Sequence, residues 1–408
     1  MNFKTKNKMY KKAYSFMSNK LVKKAITGTF VLTMLFLTSC DEDDSVPIEE
    51  LAAEIIDCST SVVSGETMTL EDRNNGVDYI INCVYAVNGD LIIKPGVTIQ
   101  FGTDGGLNVS TTGSLQVLGQ ENDQIVFTGE DKTPGSWKGI FFKSNDIKNK
   151  IEYAKIEYAG GEAFNSNDDK GAVIVWSSTH LNMNNTTITN SETYGFNASY
   201  GGDELVLENN TITNCNAPML IEGAYPTTIS GGSYTGNTTD AIIVTSDQIT
   251  GEHNWSKLNV PYHLPEGLQV IAGGTLTIMP GVTMKYGLDA LLNINEGASG
   301  PKPSLIAVGT AAEPITFTGI NEVLGAWRGI YFDTPSPLNE IGFATIEYAS
   351  NLDQKGAIAN WAGVVLNVHD TTFKDIQYCA LLNDTNTSTV ITTSNLTYVN
   401  VGGEICDW

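Results

Sequence analysis

The chain has 408 residues, with 23 Lys and Arg against 46 Asp and Glu, and eight of the lysines but no acid fall in the first 39 residues. The remainder therefore holds 15 basic against 46 acidic residues, a net charge near −31, and such a field repels phosphate and uronate polymers and excludes nucleic acid as a partner. A hydrophobic content of 41%, only 17% charged residues and 40 glycines exclude a coiled coil, a collagen, a disordered acidic tail and a polytopic membrane protein, and favour short strands and tight turns.

Residues 1–39 read as an export signal: a lysine-rich segment, then a 15-residue apolar stretch from Ala25 to Ser39 that is too short to span a bilayer. It ends in Leu37-Thr38-Ser39-Cys40, which resembles the lipobox of bacterial lipoproteins and implies lipidation of Cys40. A single acyl chain anchors only marginally, so the two or three chains of such a protein are what would hold it to the membrane. Residues 40–60 then read as a lipidated acidic tether opening on Asp41-Glu42-Asp43-Asp44. An acid run is a solvated spacer in its plain reading. In this position it also resembles the signal that sends Bacteroidetes lipoproteins to the outer face of the outer membrane, so surface display is favoured over a periplasm-facing anchor.

The rest of the chain repeats itself. Ile93-Lys94-Pro95-Gly96-Val97-Thr98 returns as Ile278-Met279-Pro280-Gly281-Val282-Thr283, 185 residues on. At an offset of 190, Gly135-Ser136-Trp137-Lys138-Gly139-Ile140 returns as Gly325-Ala326-Trp327-Arg328-Gly329-Ile330, and Ile156-Glu157-Tyr158-Ala159 as Ile346-Glu347-Tyr348-Ala349. Trp176 then matches Trp361 with the offset back at 185. These matches predict two modules, residues 61–250 and 251–408, with five residues gained and lost between copies.

A shorter period lies inside the modules. Thr187-Ile188-Thr189-Asn190 is followed by Thr211-Ile212-Thr213-Asn214 and then by Thr235-Gly236-Asn237, at spacings of 23 to 24. Short alternating apolar runs bounded by turn residues at that period fit three strands per coil. Coils stacked about 4.8 Å apart close a continuous core that no single coil can bury. The predicted fold is all-β, a parallel β-helix (solenoid) of roughly 15 coils, about 70 Å long. Asn190, Asn214 and Asn237 are expected to stack in one bend, where asparagine tolerates the left-handed conformation. A propeller is the main rival, but its repeats are near 40–45 residues; a sandwich would not explain the spacing.

Tyr85 to Gly96, Trp255, Tyr262, Gly273 to Gly281 and the two duplicated motifs resemble the right-handed parallel β-helix lipoproteins of Bacteroidetes over most of residues 75–400. The resemblance implies the scaffold and leaves the activity open, because this framework carries lyases, hydrolases, adhesins and inert spacers.

Five cysteines remain besides Cys40. Cys58 and Cys83 flank the first strands and are candidates for a disulfide that staples an N-terminal cap. Cys215 and Cys379 read as core residues, with a Cys379–Cys406 pair as an alternative. No zinc spacing is present.

Catalytic signals are weak. His180, His253, His263 and His369 do not form a duplicated set and read as surface or satisfied strand residues. Hydrolysis of a polygalacturonase kind needs converging carboxylates; the nearest are Asp168 and Asp169, whose loop aligns with the one carrying Asp353, and neither loop has the signatures of those enzymes. The same loops could bind calcium through carboxylate and carbonyl oxygens, against the plain reading of solvated loops. The aromatic residues lead further. Trp176, Trp361, Tyr158 and Tyr348 recur in both copies and, facing outward, would offer platforms for sugar rings. Trp137 and Trp327, each followed two residues on by glycine, are expected to pack in the core or at a coil end.

Three functions follow as expectations: a surface lipoprotein that binds polysaccharide or another cell surface without catalysis, a lyase or glycoside hydrolase acting on neutral or weakly charged glycan, and a structural spacer.

Overall fold

The computed structural model describes residues 51–165, 170–202, 204–245, 248–295, 300–361, 363–385 and 388–408. Cys40, the acidic run after it, and Asp168 and Asp169 lie outside the described residues. Residues 49–408 form one compact unit. It is an all-β, parallel β-solenoid of about 14 turns with almost no helix.

Three ladders of parallel strands make the faces of the first half. One runs through Tyr79–Ile81, Thr98–Phe101, Ile125–Gly129, Ala154–Glu157 and Thr187–Thr189. A second runs through Val84–Val87, Gly106–Val109, Ile140–Phe142 and Val173–Val175. The third joins Thr67–Leu70, Asp90–Ile93, Ser114–Leu118 and Lys150–Glu152. Period-2 alternation turns one set of side chains inward. On the third face Ile93, Val117, Ile151, Met183 and Leu207 stack in register, each wholly buried. Each such side chain is worth about 1.5–3 kcal/mol relative to exposure.

The second ladder does not stop at mid-chain. It passes from Ala217–Ile221 to Ile242–Val244, Tyr262–Leu264, Thr283–Tyr286 and Ile315–Gly319 without a break. The expected boundary at residues 250 and 251 falls inside the strand Gln248–Trp255. Crossing it changes the phase of the coil. Thr98–Phe101, after the first Pro-Gly, belongs to the first face. Thr283–Tyr286, after the second Pro-Gly, belongs to the continuous second ladder. Residues that match in sequence therefore stand one face apart.

The duplicated motifs have a visible cause. Trp137 stacks on Phe101 with ring centroids 4.1 Å apart and planes 4° from parallel, and Trp327 stacks on Tyr286 at 4.3 Å and 7°. Each indole Nε1 donates to a backbone carbonyl 2.9 Å away, of Glu157 and Glu347 respectively. Both rings are wholly buried, so core packing is their role. Gly139 and Gly329, two residues on, have φ of 117° and 123°, and a Cβ there would run into the carbonyls of Gly171 and Ala357. In Ile-Glu-Tyr-Ala the isoleucine and alanine point inward, the glutamate pairs with lysine outside (Glu157–Lys155, 2.6 Å; Glu347–Lys374, 3.2 Å), and the tyrosine turns the corner at φ 65° or 60°.

The asparagine bend is half as expected. Asn190 and Asn214 adopt left-handed φ of 56° and 55°, but the next coil places Gly236 there, at 84°. Asn237 stands beside the bend as a brace: its Oδ1 accepts from the Cys215 amide and its Nδ2 donates to Ile212 and Tyr234 carbonyls. A glycine takes the strained position at lower cost, which frees the asparagine side chain to satisfy backbone groups.

Disulfides join Cys58 to Cys83 and Cys379 to Cys406, near the two ends of the described solenoid. Cys215 is free and buried, and desolvation pushes its thiol up to about 11, so it is inert.

Candidate functional site

The phase change separates the four aromatic candidates. Trp176 follows Val173–Val175 in the continuous ladder. Trp361 follows Gly356–Asn360, which belongs to the next face round, with Leu291–Asn295 and Gly329–Asp333. Tyr158 and Tyr348 are half-buried, at corners after other strands, and each ring has a lysine over it (Lys132 at 5.7 Å, Lys374 at 5.9 Å). The four do not make one platform.

The two tryptophan corners differ in how much ring they leave open. Trp176 is half-buried, stacked against Tyr200 at 4.8 Å and 28°, and edge-on to Phe141 at 6.2 Å. Lys143 lies 4.6 Å over the Phe141 ring, so the cluster is largely filled by its own members. Trp361 is 53% exposed. Its only ring contact among the described residues is edge-on to Trp408, at 6.4 Å and 75°, and Trp408 is 61% exposed. One strand end anchors the pair: the Trp408 indole Nε1 donates to the Asn360 carbonyl, and the Asn360 side chain donates to the backbone carbonyl of Trp361.

Strand register gives the surroundings of Trp361. Asn295 is the partner of Asp333. Phe332 is the partner of Asn360, so Trp361 continues the column above Asp333. Ala359 pairs with Leu382 and Asn383 with Asp407, which puts Asp384 and then Trp408 at the same position in the next two rungs. The outward column therefore reads Asn295, Asp333, Trp361, Asp384, Trp408, one residue per rung of about 4.8 Å. Tyr331 sits beside it, two residues before Asp333 on the same outward side. Partial burial raises the Tyr331 hydroxyl above its ordinary pKa, and the negative charges of Asp333 and Asp384 push it further. Both carboxylates thus act on one phenol between them.

In sequence alone only Trp361 of this column stood out. Trp408 has no counterpart in the first copy, and Asp333 and Asp384 replace Lys143 and Ser199. The signal was there in the 190-residue offset from Lys143 to Asp333, but it becomes readable only once strand register fixes which residue lies above which.

The other candidates gather less. Asp353 lines a cleft of about 280 Å³ with Asp289, Asn351 and Gln377. Asn351 bridges it, donating to Asp289 and accepting from the amides of Asp353 and Gln354. Among the described residues no three His, Cys, Asp or Glu side chains are grouped to hold a metal. Three of the four histidines have protein partners: His180 faces Glu204, His253 the Ala224 and Thr250 carbonyls, and His369 both Glu340 and Asp370. A cleft of about 490 Å³ opens where the phase changes, lined in part by Lys257, Asn259, His263 and Lys285. Its lysines are paired with Glu313 at 2.8 Å and Glu322 at 3.8 Å, and it has no exposed aromatic face.

No protein-family model matches the chain, and no curated protein matches it. Among solved structures it is similar to the catalytic domain of a GH87 alpha-1,3-glucanase variant in complex with nigerose, with 11% identity and a TM-score of 0.32, over 86% of this chain and 65% of that one. Similarity at that level carries no activity over to this chain.

Proposed function

We propose that the protein is a glycan-binding β-solenoid whose binding corner is formed by Trp361 and Trp408. The observation that supports this reading is the pair of indoles, each more than half exposed and meeting edge to face on a stiff strand end. A sugar ring presents an apolar face of C–H groups that packs on an indole, while its hydroxyls seek acceptors at the rim. Asp333 and Asp384 stand one rung to either side of Trp361. The solenoid backbone fixes the spacing, so little ordering is needed on binding.

The chain's address belongs to the same proposal. Leu37-Thr38-Ser39-Cys40 supports lipidation at Cys40, and the acidic tether supports display outside the outer membrane, where a surface glycan would be the partner. A catalytic reading has less support, and calcium is no part of the binding corner. The test is a glycan array probed with the full chain and with a W361A/W408A double variant. Saturable binding to one or a few glycans, lost in the double variant, is the expected result. Binding that the double variant retains, or none at all, removes the reading.

A further inference from the structure

Behind the Trp361 corner the core itself changes chemistry. In the first half the inward column there runs Val109, Phe142, Val175 and Ala198, and each side chain is wholly buried. In the second half the matched column begins with Ile294 and Phe332 and then turns polar. Asn360 pairs with Phe332, Asn383 follows Leu382 one rung on, and Asp407 pairs with Asn383. Asn360 is wholly buried. Its Nδ2 donates to the Trp361 carbonyl, which fixes the orientation of the amide, and its Oδ1 has no donor. The Asn383 Oδ1 is also buried without a donor. The other asparagine oxygens in that condition, on Asn108, Asn182, Asn184 and Asn293, belong to half-buried residues at outward positions between inward neighbours.

A buried acceptor without a donor is destabilising, and an apolar residue of similar shape avoids the loss. The first half uses Val175 and Ala198 at these positions, so the fold does not require amides there. A cation gives the oxygens a partner. Side chains stacked in one column keep the rung spacing of about 4.8 Å, and an ion between two successive oxygens then lies about 2.4 Å from each. Calcium bonds oxygen at about 2.3–2.6 Å, whereas magnesium needs about 2.0–2.1 Å. The three side chains offer a metal only oxygen, which suits calcium rather than zinc or copper. Burial falls along the column, from Asn360 through the half-buried Asn383 to the exposed Asp407 on the last described rung. Asp407 thus supplies a negative charge and a way in, and a net charge near −31 concentrates divalent cations around the chain.

We infer that the Asn360–Asn383–Asp407 column is a calcium site at the C-terminal end of the core, its oxygens reaching the ion directly or through water. The ion lies inside the coil, behind the tryptophan corner and not in it. The glycan reading neither needs it nor supplies it.

The test titrates calcium chloride, and separately magnesium chloride, into the EDTA-stripped full chain by calorimetry. Sodium chloride at about 0.15 M screens loose binding to the acidic surface. One saturable calcium site with a Kd of about 1 mM or tighter is expected, with magnesium about tenfold weaker. N360V/N383A, which installs the residues of the first half, should abolish that site. In EDTA it should melt no lower than the wild-type chain, because the unpartnered oxygens are gone. D407N leaves both core amides in place and should weaken calcium about threefold, since the site loses its one charge. No saturable calcium site in the wild-type chain, equal affinities for the two metals, or calcium binding unchanged in N360V/N383A overturns the inference. If that double variant does not fold, an unchanged affinity in D407N overturns it instead. The glycan reading stands or falls on the sugar-binding test alone.

Discussion

The two tryptophan corners share a backbone plan and differ in what they expose. In the first half Trp176 is covered by Tyr200 and Phe141, with Lys143 and Ser199 at the flanking rungs. In the second half Trp361 stands open beside Trp408, with Asp333 and Asp384 at those rungs. The inward columns do not diverge in this way: Val109, Phe142 and Val175 match Ile294, Phe332 and Asn360, and all are buried. Inward side chains are held by packing against the coils above and below, where one methylene is felt. Outward ones answer only to solvent and ligand, so a repeated scaffold can present one closed corner and one open one.

The largest effects are expected at the core residues the two halves share. Replacing Trp137 or Trp327 with alanine should cost about 3–5 kcal/mol each, measured by denaturant unfolding. A much smaller loss at Trp327 would mean that its stack on Tyr286 is not equivalent to the Trp137–Phe101 stack. The ends come next. Removing Cys58–Cys83 or Cys379–Cys406 by paired serine substitution should cost about 3 kcal/mol, with hydrogen exchange rising in the terminal coils. If exchange rises in the central coils as well, the ends are not independent caps.

A smaller effect is expected at the bends. Asn214 holds a left-handed φ of 55°, so N214A should destabilise by about 1–2 kcal/mol and N214G by much less. Equal losses would show that the Asn214 side chain, which donates to Thr189, matters more than its backbone. The smallest effect is at the junction. Burial and the nearby Lys285 charge lower the His263 pKa to about 4, below its ordinary 6.5. As pH falls from about 6.5 to 4 the unfolded chain takes up this proton first, so stability is lost across that window. H263Q should flatten the melting-temperature profile there, and an unchanged slope would assign the acid sensitivity to other groups.

Much of the fold was legible because short motifs recur along the sequence at regular spacings. The 23–24 residue spacing of the asparagine-ended runs pointed to the coil, and the Trp-x-Gly motifs pointed to packing in the core or at a coil end, which register resolves as buried stacks. The one-face phase change was not legible. It depends on how many residues the chain uses between Ile243 and His263, which pair across one turn, and no local propensity reports that. The same shift is why Trp176 and Trp361, equal in sequence, do not share a surface. For the site, one residue of the column was visible and its neighbours were not, because the residues that meet at a solenoid corner are about 24 or more positions apart and are joined only by register.

The most direct test compares W176A with W361A by titration calorimetry, using whichever oligosaccharide the wild-type chain binds. Each variant is first checked for an intact melting transition. The structure predicts that W361A weakens binding by about thirtyfold, as loss of a central tryptophan anchor does, while W176A stays within about twofold of the wild-type chain. Equal losses at both positions, or a larger loss at Trp176, would contradict the assignment of binding to the open corner.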